Sequence, residues 1–156
     1  MDVIQRIKEE HDEFRKMLEQ LSMTGIEDVD VRRETYPDLV MRVDAHENAE
    51  ERLIYDRMKE DQEMRELALE MLEEHRVARV LMVELRNVTM IDPLWLPKIR
   101  MIKELISMHI RREEDLALPA AQEFLGEDFE GLGDKFEMVE REILKNKASG
   151  GYADTL

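Results

Sequence analysis

The 156-residue chain contains no cysteine. Disulfides, thiolate chemistry and iron–sulfur clusters are therefore excluded as intrinsic features, and any metal must be held by nitrogen and oxygen. Glycine (6) and proline (4) are scarce and aromatics make up 5% of the chain, so the turn-forming and strand-forming residues that a sheet needs are thin. The expected class is all-α, built from long helices. No apolar run approaches the roughly 20 residues that cross a bilayer, and the N-terminal Met1-Asp2-Val3-Ile4-Gln5-Arg6 has no apolar signal core. A cytoplasmic protein is the expectation. Basic residues are in deficit, 23 against 38 acidic, for a formal charge of -15. Such a charge repels phosphate backbones and anionic lipid, so neither nucleic acid nor membrane is an expected partner.

The length fits one domain with a real core. Apolar residues three and four apart mark the helices. The first spans about residues 2–21, with Ile4, Ile7, His11, Phe14, Leu18 and Leu21 on its inner face, and Gly25 as its stop. The second runs to about residue 60 along Leu39, Val43, His46, Glu50 and Leu53. Pro37 allows a start near Thr35 or an earlier one near Asp30 with a kink; the early start is the better reading. The third, about 62–88, carries Met64, Ala68, Met71, His75, Ala78, Met82 and Leu85. Asp92-Pro93 opens the fourth, which continues inward through Ile102, Leu105, His109, Glu113, Leu116 and Ala120 until Pro119 bends or ends it. Gly126 to Gly133 is a loop, Asp134 caps a short fifth helix over 135–147, and residues 148–156 form a mobile tail outside a domain of residues 1–147.

All four histidines fall on these inner faces, and the pattern around them repeats. Glu9-Glu10-His11 with Arg15, Leu18 and Leu21 matches Glu73-Glu74-His75 with Arg79, Met82 and Leu85. The motif H-x-x-x-E-E-x-L occurs at His46 and again at His109. Two helix hairpins related by a pseudo-two-fold predict an up-down-up-down four-helix bundle. At least one of Arg15 and Arg79, one turn beyond their histidines, is expected to pair with a nearby acid and orient the ligands, the alternative being that both stay in solvent.

A single histidine in an apolar seam is ordinarily a hydrogen-bonded core residue. Six polar residues at matching heights on four helices are another matter. Spacing of four places His46 with Glu50, and His109 with Glu113, on one helix face. Burying both carboxylates costs several kcal/mol each without compensation, and no basic residue occupies the seams. A cation between His11, His46, Glu50, His75, His109 and Glu113 resolves that deficit. The donors suit iron, manganese or zinc, and six are too many for one ion. Two ions bridged by Glu50 and Glu113, about 3.5–4 Å apart, would use the whole set. At about six ligands per ion, a bridging oxide or hydroxide then leaves roughly two open positions. The ferritin-like alternative needs Glu-x-x-His on two helices. Lys8, Val43, Leu72 and Ile106 stand three residues before the histidines, so that class is disfavoured.

At these residues the sequence resembles the hemerythrin-like, or HHE cation-binding, family over about residues 2–120. The family order of His, His-x-x-x-Glu, His, His-x-x-x-Glu appears as His11, His46 with Glu50, His75, and His109 with Glu113. The resemblance implies a four-helix bundle with a non-haem di-iron site on those six residues. It also identifies Glu47 with a further ligand of some relatives, against its reading as a solvated surface acid. Oxygen-carrying members have a second histidine where this chain has Arg79, and an aspartate where it has Glu114. A nitrogen-poorer site resembles the iron-, oxygen- or nitric-oxide-responsive branches, some of which help repair iron–sulfur centres with an added cysteine-bearing segment. The implied activity is binding or sensing of oxygen, nitric oxide, peroxide or redox state by a monomer or weak homo-oligomer. A di-iron enzyme (oxidase, peroxidase or nitric-oxide-reducing) and a purely structural metal are the alternatives, and the twelve methionines argue against peroxidase chemistry, which would oxidise thioethers.

Overall fold

In the computed structural model, which describes residues 1–149, the inward-facing residues of four long helices form one core and a fifth helix closes its side. Helix α1 (Val3–Ser22) starts at Asp2, whose Oδ1 accepts from the Ile4 amide at 2.7 Å, satisfying one of the donors that a helix start leaves open. It ends before Gly25: Met23 is the C-cap, and the Thr24 hydroxyl donates to the Leu21 carbonyl at 2.7 Å. Gly25, expected to stop the helix, instead opens a short 3-10 turn, Ile26–Asp28. Helix α2 (Val29–Glu50) begins early and carries Pro37 inside it. Asp61 then receives the Glu63 and Met64 amides, both at 3.0 Å, and starts α3 (Arg65–Arg86). Helix α4 (Trp95–Arg112) follows Asp92, whose Oδ1 accepts from the Leu94 amide.

Both H-x-x-x-E-E-x-L helices change pitch at the repeated acids. Glu51–Tyr55 and Glu113–Ala117 are π-helical, each followed by resumed α-helix, Asp56–Met58 and Leu118–Leu125. A π turn takes in one extra residue, so every later side chain rotates backward around the axis. This corrects one expected inner position: Leu116 is exposed, while Leu53 and Ala120 are half-buried against the core and Ile54, Ala117 and Ala121 are buried in it. Pro119 falls in the first turn after the π segment, where its missing N–H costs least, and the helix runs on to Leu125.

Gly126 has φ +54°, a region that favours glycine, and leads through a 3-10 turn, Gly126–Phe129, into α5 (Leu132–Ser149). This helix is longer than expected: it starts before Asp134, which lies in its first turn, and passes residue 147. The tail expected at 148–156 lies, from residue 150 on, outside the described residues.

Helix α1 packs against α2 and α4, α3 packs against α4, and α5 lies across α2 and α1. The apolar interior is divided in two. Phe14, Leu18, Leu39, Met82, Trp95 and Ile102 belong to one cluster, and Ile7, Ile54, Met58, Met71, Leu118 and Phe136 belong to the other. Between them lies a layer of buried histidine and glutamate. At the far end of the first cluster, buried Arg32 ties the two interhelical turns together. Its Nε and Nη2 donate to Oγ1 and the carbonyl of Thr24 at 2.8 and 2.9 Å, its Nη1 donates to the Met90 carbonyl, and its guanidinium lies 4.4 Å from the Trp95 ring centre. No helix among the described residues is long and apolar enough to cross a membrane.

Candidate metal centre

The polar layer holds all six residues singled out in the sequence. His11, His46, Glu50, His75, His109 and Glu113 are each buried, the least so His109 at 9% exposure. One helix supplies each histidine, as the repeat predicts. The imidazoles converge in pairs through Nε2: His11 to His46 at 3.2 Å, and His75 to His109 at 3.1 Å.

The two glutamates join the pairs. Glu113 places Oε1 3.0 Å from His11 Nε2 and Oε2 3.6 Å from His109 Nε2. Glu50 Oε1 lies 2.8 Å from His46 Nε2 and 3.8 Å from His75 Nε2. Donor atoms of His11, His46, Glu50 and Glu113 all lie within 4.8 Å of one another, as do those of His75, His109 and Glu113. Yet both oxygens of Glu50 and Oε1 of Glu113 have no hydrogen-bond partner. Buried carboxylates are rarely left so. Burial, joined by the Glu113 charge, pushes the Glu50 carboxyl well above the usual carboxylate range, because two like charges in so dry a place cannot both persist unaided. Cations within the layer would satisfy these oxygens and the converging nitrogens together, so the donor set fits metal-ion binding.

The outer nitrogens explain why the inner ones converge. His46 Nδ1 meets Glu10 at 2.9 Å, His75 Nδ1 meets Glu51 at 2.7 Å, His109 Nδ1 meets Glu74 at 2.8 Å, and His11 Nδ1 meets Glu114 at 2.9 Å. Each acid comes from the helix before the histidine it holds, and the fourth returns to the first, so the contacts close a ring around the bundle. A carboxylate on Nδ1 keeps the proton there and leaves the Nε2 lone pair facing inward. Arginines stand behind the acids: Arg79 Nη2 is 2.7 Å from Glu51, Arg112 contacts Glu74, Arg15 Nη2 is 3.8 Å from Glu114, and Arg6 lies beside Glu10. At least one arginine is expected to pair with an acid here; Arg79 does so closely, and Arg15 stands farther from Glu114 than from Asp12, at 2.9 Å. Glu51 is held below the usual carboxylate range: burial opposes this, and His75 and Arg79 outweigh it.

Sequence reasoning missed this ring, although its signal was in the repeat. In Glu9-Glu10-His11, Glu73-Glu74-His75 and the two H-x-x-x-E-E motifs, the second acid of each doublet is the one that holds an imidazole. Glu114 therefore serves His11 Nδ1. Tyr55 was also missed; it is fully buried in the first π segment, and its hydroxyl donates to Glu113 Oε2 at 2.5 Å. Glu47 is no solvated surface acid: it is 4% exposed, its Oε1 has no hydrogen-bond partner, and its Oε2 is 3.5 Å from His75 Nδ1. Burial raises its pKa to about 8. Helix α5 adds Phe136, edge-on to His46 with ring centres 5.6 Å apart, and buried Glu140, which lies near Glu10 and His46.

An all-helical bundle whose core is crossed by converging imidazoles and bridging carboxylates defines a cation-binding bundle. The family model described as the hemerythrin HHE cation binding domain matches residues 2–121, and the chain belongs to this family. Helix α5 lies beyond the matched residues. No significant match is found among curated proteins or among solved structures.

Proposed function

We propose that the protein is a non-haem di-iron binding protein that binds or senses oxygen, nitric oxide or redox state, with His11, His46, Glu50, His75, His109 and Glu113 as the metal ligands. The observation that carries the choice of ligand is a cavity of about 20 Å³ beside His11, His46 and His109, with Phe14, Val43, Ala78, Ile106 and Ile110 as its apolar wall. A volume that size is close to the minimum that holds one water molecule. It suits a diatomic better than an organic substrate. Two iron ions held by these six residues would supply a redox couple.

The protein's own groups do the rest. Glu10, Glu51, Glu74 and Glu114 retain the Nδ1 protons and fix the four rings. Glu50 and Glu113 supply negative charge that favours the higher oxidation state, and Tyr55 holds Glu113 in place. The apolar wall keeps bulk water from the cavity. The small cavity also bears on the enzymic alternative, limiting it to turnover of peroxide or nitric oxide rather than oxidation of a larger molecule.

The test is metal analysis of the purified protein, with optical spectra after reduction and then on exposure to air or nitric oxide. Two irons per chain and a saturable, reversible spectral change support the proposal. Sustained consumption of the added ligand would shift it to an enzyme. A bound metal without redox change would reduce the centre to a structural one.

A further inference from the structure

Phe14 lines both the inner cavity and the groove of α1 and α5, but it is packed in the first apolar cluster and stands edge-on to His46, with ring centres 5.1 Å apart. The surface hollows beside Lys103 and beside Glu34 have no residue in common with the cavity. Between α2 and α3 the situation differs. An outer pocket of about 160 Å³ lies there among Val40, Asp44, Arg79, Met82 and Val83. Two residues, Val43 and Glu47, line both this pocket and the inner cavity.

Of the two, Glu47 is the one whose position packing does not explain. It is buried, yet no hydrogen bond holds its Oε1. Its Oε2 has only the 3.5 Å approach to His75 Nδ1, and that nitrogen is engaged more closely by Glu51 at 2.7 Å. A buried side chain without close partners has little to lose by changing rotamer, whereas Glu50 and Glu113 each approach an imidazole nitrogen more closely, at 2.8 and 3.0 Å.

We propose that small ligands reach the inner cavity between α2 and α3, and that Glu47 is the gate residue of this passage, setting by size which molecules pass. The inference rests on the metal centre proposed above. In the closed position the Glu47 side chain fills the neck between the two cavities. Rotation toward the outer pocket opens a path for a diatomic, and a larger ligand such as azide passes more slowly. Opening precedes binding, so the gate acts on the association rate and leaves the equilibrium affinity alone.

The experiment is stopped-flow mixing of the metal-loaded protein with nitric oxide (reduced form) and azide (oxidised form), with metal content and equilibrium affinity measured on the same samples. Glu47→Ala is expected to raise the azide association rate on the order of tenfold and the nitric oxide rate less, with affinity unchanged. Val83→Trp, at the half-exposed mouth of the outer pocket, should slow both ligands without touching the core. Arg141→Trp, in the α1 and α5 groove, should slow neither. Association rates unchanged in both Glu47→Ala and Val83→Trp overturn the gate, as does slowing by Arg141→Trp instead. Metal loss in the isosteric Glu47→Gln also overturns it, because Glu47 would then be a ligand. A wild-type protein that takes up no metal overturns the underlying centre, a separate result. Should Glu47→Ala not fold, Val83→Trp and Glu47→Gln decide the matter.

Discussion

Stripping the metal from the folded protein should lower its melting temperature by tens of degrees, because the centre draws on all four bundle helices. His11 lies on α1, His46 and Glu50 on α2, His75 on α3, His109 on α4, and Glu113 in the π segment that continues α4. An unfolded chain cannot hold donors from such distant positions together, so metal binds the native state selectively. With free metal about a thousandfold above its dissociation constant, each ion stabilises by about 4 kcal/mol, and two by about 8. For a chain of this size each kcal/mol moves the midpoint by about 2–4 °C, which gives a loss of about 15–30 °C. Part of that loss is softened because Glu50 takes up a proton once the cations leave, its carboxyl being raised by burial and by Glu113. The assay is a thermal melt by circular dichroism before and after chelation, with metal content verified on each sample and metal restored at the end. Glu50→Ala combined with Glu113→Ala should abolish the difference. An unchanged melt after verified removal would refute the claim that these buried carboxylates are coupled to a cation.

Other consequences can be read from the same geometry. Arg79→Ala should weaken metal affinity by about tenfold, within the range seen when groups behind a metal ligand are removed, while Arg15→Ala should matter less, since its acid is 3.8 Å away against 2.7 Å for Arg79; isothermal titration with the metal compares them, and a larger loss for Arg15 would contradict the ring. Tyr55→Phe removes the hydrogen bond to Glu113 Oε2 and should destabilise the metal-free protein by about 2 kcal/mol in urea melts, with metal stoichiometry unchanged; a neutral effect would mean that the hydroxyl does not support that carboxylate. In the metal-free protein the Glu47 pKa is raised by burial from 4.5 to about 8, so the folded state binds the proton more tightly than the unfolded one. Its contribution to stability is therefore complete below pH 4.5 and is lost as the pH rises toward 8, amounting to on the order of 5 kcal/mol. Glu47→Gln should flatten that part of the stability profile, and an identical decline in the variant would place the titration elsewhere.

The helical class was legible in the composition, and the four histidine-bearing faces and the six inner donors in local periodicity. A helix repeats every 3.6 residues, so His46 with Glu50 and His109 with Glu113 share a face wherever the helix goes. The internal repeat then set the heights of the four faces against one another. What lay outside that reach depended on neighbouring helices or on changes of pitch. Glu10 sits beside His11 in sequence but holds His46, and Glu114 follows Glu113 but holds His11; only the packed bundle decides which ring each acid meets. Leu116 was assigned inward on an unbroken α-helical period, and the π segment at Glu113–Ala117 turned it outward. Glu47 reads as a surface acid by its type and is buried because α2 has neighbours beyond its histidine face. Helix α5 shows the same division: the glycine-bounded loop and Asp134 announced it, while its placement across α1 and α2, with Phe136 against His46 and Glu140 near Glu10, is a property of the tertiary fold. Local spacing fixes what a helix offers to its neighbours, and packing determines which neighbour receives it.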